Sequence, residues 1–145
     1  MNKIFSWGAV LLWMALIFYF SHQPAEESSE LSGSVVDLVI SIAPFIEGDS
    51  DWVHFLVRKG AHFFVYFVLG ILVINGLRVS GISIKRSALA SVFICLLYAI
   101  SDEVHQLYIP GRSGEVSDVI LDTIGASVGV LVYLGVVRLG RKSGR

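Results

Sequence analysis

The chain has 145 residues, 54% of them hydrophobic and only 16% charged, with a mean hydropathy of +0.73. A soluble domain carries about 25% charged residues, so this composition excludes an ordinary water-soluble globule and points to a polytopic membrane protein. The net charge of −1 says little, but the lone cysteine, Cys95, excludes an intrachain disulfide and a cysteine-only metal site. Cys95 lies in an apolar run and reads as a small buried hydrophobe.

The first apolar run, Ile4–Phe20, is about 17 residues, near the lower limit for a spanning helix. A cleavable signal peptide is excluded by its bulky end, Phe18-Tyr19-Phe20, with no small-x-small pattern after it. Trp7, Trp13 and Tyr19 are candidate interface anchors. Pro24 ends this helix, because proline disfavours helix in the residue before it. A polar connection follows with Glu26, Glu27 and Glu30, then Val35, Val36, Leu38, Val39, Ile42 and Ile46 at near-helical spacing. That segment is too short to span and reads as an amphipathic helix lying in the interface or packing over the bundle, with Pro44 kinking or ending it and Gly48-Asp49 turning the chain.

Ser50 and Asp51 are suitable N-caps for a helix from Trp52 to Gly76, whose membrane part is about 61–77. Along it His54, Arg58, His62 and Tyr66 are each four residues apart and share one face, with Lys59 one step round. Polar groups on a spanning helix turn inward, away from lipid. The third run, about 87–100, spans only if the helix continues through Ser101, Asp102 and Glu103. Pro110-Gly111 then breaks it, and the fourth span covers about 119–139 with Gly125 and Gly129 at small-xxx-small spacing.

Lys3, Arg78, Lys85, Arg86, Arg138, Arg141, Lys142 and Arg145 fall on one side of these spans, and only Arg58, Lys59 and Arg112 on the other. By the positive-inside rule both termini are cytoplasmic and the polar stretch 101–118 faces outward. The basic residues are thus a membrane flank, which leaves nucleic-acid binding without support. The expectation is one all-α domain over 1–145. It is an integral membrane four-helix bundle, with spans about 4–20, 61–77, 87–103 and 119–139 and the amphipathic helix in the first extracellular loop.

Ionisable residues inside a membrane are expensive, so their convergence marks a candidate site. Arg58, Lys59, His62 and Tyr66 come from the second span, Asp102, Glu103, His105 and Gln106 from the end of the third, and Arg112, Asp118 and Asp122 from the loop and fourth span. The bland reading is an ion-pair network closing the bundle, since buried charges need partners in any case. Against it stands binding of an anionic head group, for which the planar fork of Arg112 is suited. Catalysis would use His62 or His105 as acid and base, with Asp102 or Glu103 orienting the histidine. A divalent metal on His62, His105, Asp102, Glu103 and Asp118 is the less favoured cofactor reading, because no compact motif is present. Tyr66 reads as an interhelical hydrogen-bonding residue, and His22 and His54 as surface or interface residues.

Three pieces of sequence resemble the VanZ-like family of bacterial membrane proteins. They are Lys59-Gly60-Ala61-His62-x3-Tyr66-x3-Gly70, then Asp102-Glu103-x-His105-Gln106-x3-Pro110-Gly111-Arg112-x5-Asp118-x3-Asp122-x2-Gly125, and Phe20-Ser21-x-Gln23-Pro24. The resemblance implies a bacterial cell membrane and a link to resistance against teicoplanin-type glycopeptides. It carries Lys59, His62, Tyr66, Asp102, Glu103, His105, Gln106, Arg112, Asp118 and Asp122 over as candidate ligand-binding residues. The family often has Asn where Asp122 stands. The expected partner is a membrane lipid or lipid-linked envelope precursor, with homo-oligomerisation left open. The rival is a membrane-embedded hydrolase or transferase acting on a lipid-linked phosphate or sugar.

Overall fold

The computed structural model describes residues 2–42 and 50–143, without the side chains of residues 31–32, 37–40, 42, 50–51 and 141–143. Every regular element among them is a helix: α1 Lys3–Ser21, α2 Ala25–Ile42, α3 Ser50–Val79, α4 Ile84–Gln106 and α5 Val116–Ser143. Four of these, all except α2, are long and apolar enough to cross a membrane. At about 1.5 Å per residue α3 is roughly 45 Å long, well beyond a hydrocarbon core of about 30 Å. Its N-terminal turns therefore continue past the apolar layer and carry His54, Arg58 and Lys59. α4 runs unbroken through Ser101, Asp102 and Glu103, so the acids stand on its last turns.

Asn2 caps α1 through its side chain, which accepts from the Ile4 amide. The polar connection expected after Pro24 is instead the start of α2, whose first turn carries Glu26 and Glu27 where a helix N-terminus favours negative charge. Val36 of α2 is buried. The side chains of Leu38, Val39 and Ile42, all of Ile46, the Pro44 break, the Gly48-Asp49 turn and the cap of α3 lie outside the described residues. So do Arg145 and the side chains of Arg141 and Lys142.

α3 and α5 make the tightest contact. A Cβ on Gly125 would collide with the Phe63 carbonyl, one on Gly129 with the Phe67 carbonyl, and one on Gly70 with the Ala126 backbone. Small residues let the two backbones touch, which is how helices gain dispersion contacts where the hydrophobic effect is absent. α1 and α4 close the bundle through polar bonds in an apolar setting. Trp13 donates from Nε1 to the Val65 carbonyl at 2.8 Å, Trp7 to Ser80 Oγ at 3.1 Å, and Tyr98 from its hydroxyl to the Met14 carbonyl at 2.6 Å. Trp7 and Trp13 thus join helices rather than serving only as interface anchors, whereas Tyr19 is exposed. Val10, Ile17, Leu69, Val73, Cys95 and Ala99 are among the core residues. Leu12, Leu89, Phe93 and Leu131 point outward, as side chains facing lipid must.

Candidate functional site

The polar residues meet at one end of the bundle, where α1 and α4 finish, α5 begins and the early turns of α3 pass. The loop between α4 and α5 shapes this end. Arg112 donates its amide to the Ile109 carbonyl at 3.1 Å across Pro110 and Gly111, and Gly111 has φ +74°. Proline followed by a positive-φ glycine is the requirement of a type II turn. The Pro110 carbonyl also accepts from the Ala25 amide at 3.3 Å, tying the turn to the start of α2.

This turn aims Arg112 at the end of α1. Its Nη2 donates to the Phe20 carbonyl at 3.0 Å, its Nε to the Gln23 carbonyl at 3.1 Å and its Nη1 to Gln106 Oε1 at 3.4 Å. Carbonyls at a helix C-terminus lack intrahelical partners, and a cation there is favoured by the helix dipole. Arg112 is therefore a strap across α1 and α4, and the fork expected to suit an anionic head group is engaged by these three acceptors. Burial pulls the guanidinium below its ordinary value, while Asp102 and Glu103 oppose the change.

Gln106 is the hinge of the polar network. Its amide nitrogen donates to Glu103 Oε1 at 3.2 Å and Asp102 Oδ2 at 3.4 Å, while its oxygen takes Arg112. Glu103 Oε2 in turn accepts the backbone amide of Glu115 at 2.8 Å, which joins the end of α4 to the entry of α5. Lys59 is ion-paired with Asp118, and with Glu115 at 3.0 Å. The hydrogen bond from Lys59 holds the Glu115 carboxyl below its usual range. His62 Nδ1 lies 3.5 Å from Asp122 Oδ1. Asp122 is fully buried, and neither of its oxygens has a hydrogen bond among the described residues.

Two predicted members behave differently. His105 turns away: its Nε2 is 3.1 Å from His22 Nδ1, and its ring packs on Phe18 with centroids 4.6 Å apart. A residue three past Asp102 shares its helix face only loosely, and here the aromatic end of α1 draws the imidazole out of the cluster. The interhelical hydrogen bond expected of Tyr66 is not formed; its buried hydroxyl has no hydrogen-bond partner among the described residues. Sequence reasoning also left Glu115 and Arg58 off the ligand list. Glu115 stands three residues before Asp118, just ahead of a helix, which was the available signal. Arg58 became notable only when every other nearby cation proved engaged. Among the described residues it makes no hydrogen bond or ion pair.

Two cavities open beside this network. The first, about 370 Å³, is polar, lined in part by His54, Arg58, His62, Gln106, Glu115 and Asp118. The second, about 390 Å³, is mainly apolar, with Ile17, Phe20, Val35, Val57, Ala61 and Val65 in its wall. They share Ser28, Arg58, His62, Gln106 and Arg112. A greasy chamber between α1, α2 and α3 thus adjoins a charged cleft, and Arg58 is one of the residues in the wall of both. His54, expected at the surface or an interface, is a half-buried part of the cleft wall.

The VanZ/LLP1 family profile matches residues 6–138. The chain belongs to the VanZ/LLP1 family. Among curated proteins and among solved structures, none matches it. The match reaches into all four apolar helices and includes every residue of the polar network, so this VanZ/LLP1 family member is a membrane protein whose polar cluster lies within the matched region.

Proposed function

We propose that this membrane protein binds the anionic head group of a membrane lipid or lipid-linked cell-envelope precursor. The head group sits in the polar cleft and the acyl chain in the adjoining apolar chamber. The observation that carries this reading is the pair of adjoining cavities with Arg58, which makes no hydrogen bond or ion pair among the described residues, in the wall of both. A phosphate placed there gains a charge-assisted, bidentate guanidinium contact, and the chain behind it is removed from water. The asymmetry of Lys and Arg between the two ends supports an arrangement with both termini cytoplasmic and the cleft opening on the outer face of a bacterial cell membrane. Holding an envelope precursor there would lower susceptibility to teicoplanin-type glycopeptides.

Native mass spectrometry of the detergent-purified protein, offered phosphatidylglycerol, polyprenyl phosphate or neutral diacylglycerol, tests the reading. The anionic lipids are retained, and Arg58→Ala weakens them at least tenfold at unchanged fold. Equal retention of the neutral lipid, or no effect of Arg58→Ala, refutes it.

The His62–Asp122 pair supports a second reading, a hydrolase or transferase acting on a lipid-linked phosphate or sugar. A carboxylate behind an imidazole is the arrangement that orients a general base, and His62 borders both cavities. His62 would then serve as acid and base, held by Asp122 rather than by Asp102 or Glu103. Absence of turnover on a broad panel of lipid phosphates removes it.

A further inference from the structure

Three helices bring one histidine and two carboxylates to a point. His62 of α3, Glu103 of α4 and Asp118 of α5 each offer one ligand atom, and these atoms lie within 4.8 Å of one another. Donors on a single divalent ion with bonds of about 2.0–2.3 Å stand roughly 3–4.6 Å apart. The three groups are therefore placed for one ion with only a small closure. Glu103 and Asp118 are buried, so they are not the loosely held acids of a protein surface.

A separate observation comes from behind the histidine. Asp122 is 0% exposed, and among the described residues neither of its oxygens has a hydrogen-bond partner. A carboxylate buried that way is costly and needs an explanation. Its Oδ1 is 3.5 Å from Nδ1 of His62, which leaves the opposite ring nitrogen, Nε2, for a ligand. A carboxylate that orients a histidine from its far nitrogen is the usual outer support of a metal-bound imidazole. Charge points the same way. Asp102, Glu103, Glu115, Asp118 and Asp122 crowd a region where Arg58, Lys59 and Arg112 are the fixed cations, so carboxylates are in excess. Lys59 already engages Asp118 through Oδ1, and no hydrogen bond to the second oxygen of that carboxylate is formed among the described residues.

We propose that His62, Glu103 and Asp118 bind one divalent first-row metal ion, Zn²⁺ or Mn²⁺, with Asp122 as the positioning residue behind His62. One imidazole and two carboxylates suit these ions, whereas Mg²⁺ and Ca²⁺ call for oxygen alone. Three protein ligands leave coordination positions open toward the cleft, where a phosphate oxygen can complete the shell. That last consequence rests on the head-group reading above; the metal site does not.

The test uses the full chain in detergent without lipid, with any purification tag removed and metal stripped by chelator. Zn²⁺ or Mn²⁺ alone is added back, and stoichiometry is measured by elemental mass spectrometry, with the free Mn²⁺ signal followed by electron paramagnetic resonance. One ion per chain is expected. Glu103→Gln and Asp118→Asn weaken binding at least tenfold, and His62→Ala abolishes it. Asp122→Asn weakens it about 10- to 100-fold, the range for an outer-shell partner. Glu27→Gln, an exposed acid on α2 outside both cavities, changes it less than threefold. No stoichiometric ion in the wild-type protein overturns the proposal whatever the variants do. So does an ion that survives His62→Ala and Glu103→Gln, which would be held elsewhere. Metal binding without retention of anionic lipid refutes the head-group reading alone, and the reverse result refutes the metal site alone.

Discussion

Replacing Arg112 by alanine separates two roles for this side chain. In the structure its guanidinium holds the Phe20 and Gln23 carbonyls at 3.0 and 3.1 Å, and Gln106 at 3.4 Å. A hydrogen bond involving a charged group contributes about 1.5–3 kcal/mol net. The two short bonds carry most of the effect, and the third is too long to add much. Arg112 is half-buried at the membrane edge, so water recovers part of the loss at the freed carbonyls. Arg112→Ala is therefore expected to destabilise the bundle by about 2–4 kcal/mol. Arg112→Lys keeps the charge but not the fork, and recovers at most one of the two carbonyl bonds. Unfolding in mixed micelles by titration with sodium dodecyl sulfate, read by tryptophan fluorescence, measures this. Trp7 and Trp13 report on the contact of α1 with α3 and the following turn. Binding of anionic lipid per folded molecule is measured alongside. A variant within about 0.5 kcal/mol of wild type that loses lipid tenfold refutes the strap and makes Arg112 an anion ligand.

Gly125→Ala and Gly129→Ala should each cost about 1–3 kcal/mol or more, because overpacking here meets backbone rather than a movable side chain. Gly135→Ala, with nothing within 4 Å of an added Cβ, should be neutral in the same unfolding assay, and equal effects at the three positions contradict the packing. The Lys59–Glu115 pair predicts a pH dependence. Folding depresses the Glu115 carboxyl, so its contribution is present above the unfolded value and is lost as pH falls through the folded one. Unfolding wild type and Glu115→Gln over a pH series should show a gap at neutral pH that closes in acid, below the usual glutamate range; a constant gap contradicts the pairing.

What the sequence determined follows from local physics. A helix is written in its neighbours: apolar runs bounded by Pro24 and Pro110-Gly111 give the spanning elements, and i,i+4 spacing puts Arg58, His62 and Tyr66 on one face whatever surrounds them. Gly125 and Gly129 likewise announced a close contact. They did not name its partner, because small-residue spacing is the same for any helix that packs there. Tertiary structure alone decided which polar groups satisfy one another. Arg112 read in sequence as suited to an anion because its two shortest bonds go to backbone carbonyls about 90 residues away, and backbone atoms carry no residue-type signal. His105 looked central because helical spacing relates it to Asp102, yet the aromatic end of a different helix drew it outward. Arg58 could not be singled out among the cations until Lys59 and Arg112 had found their partners, since a charge is available only when its neighbours in space, not in sequence, leave it so.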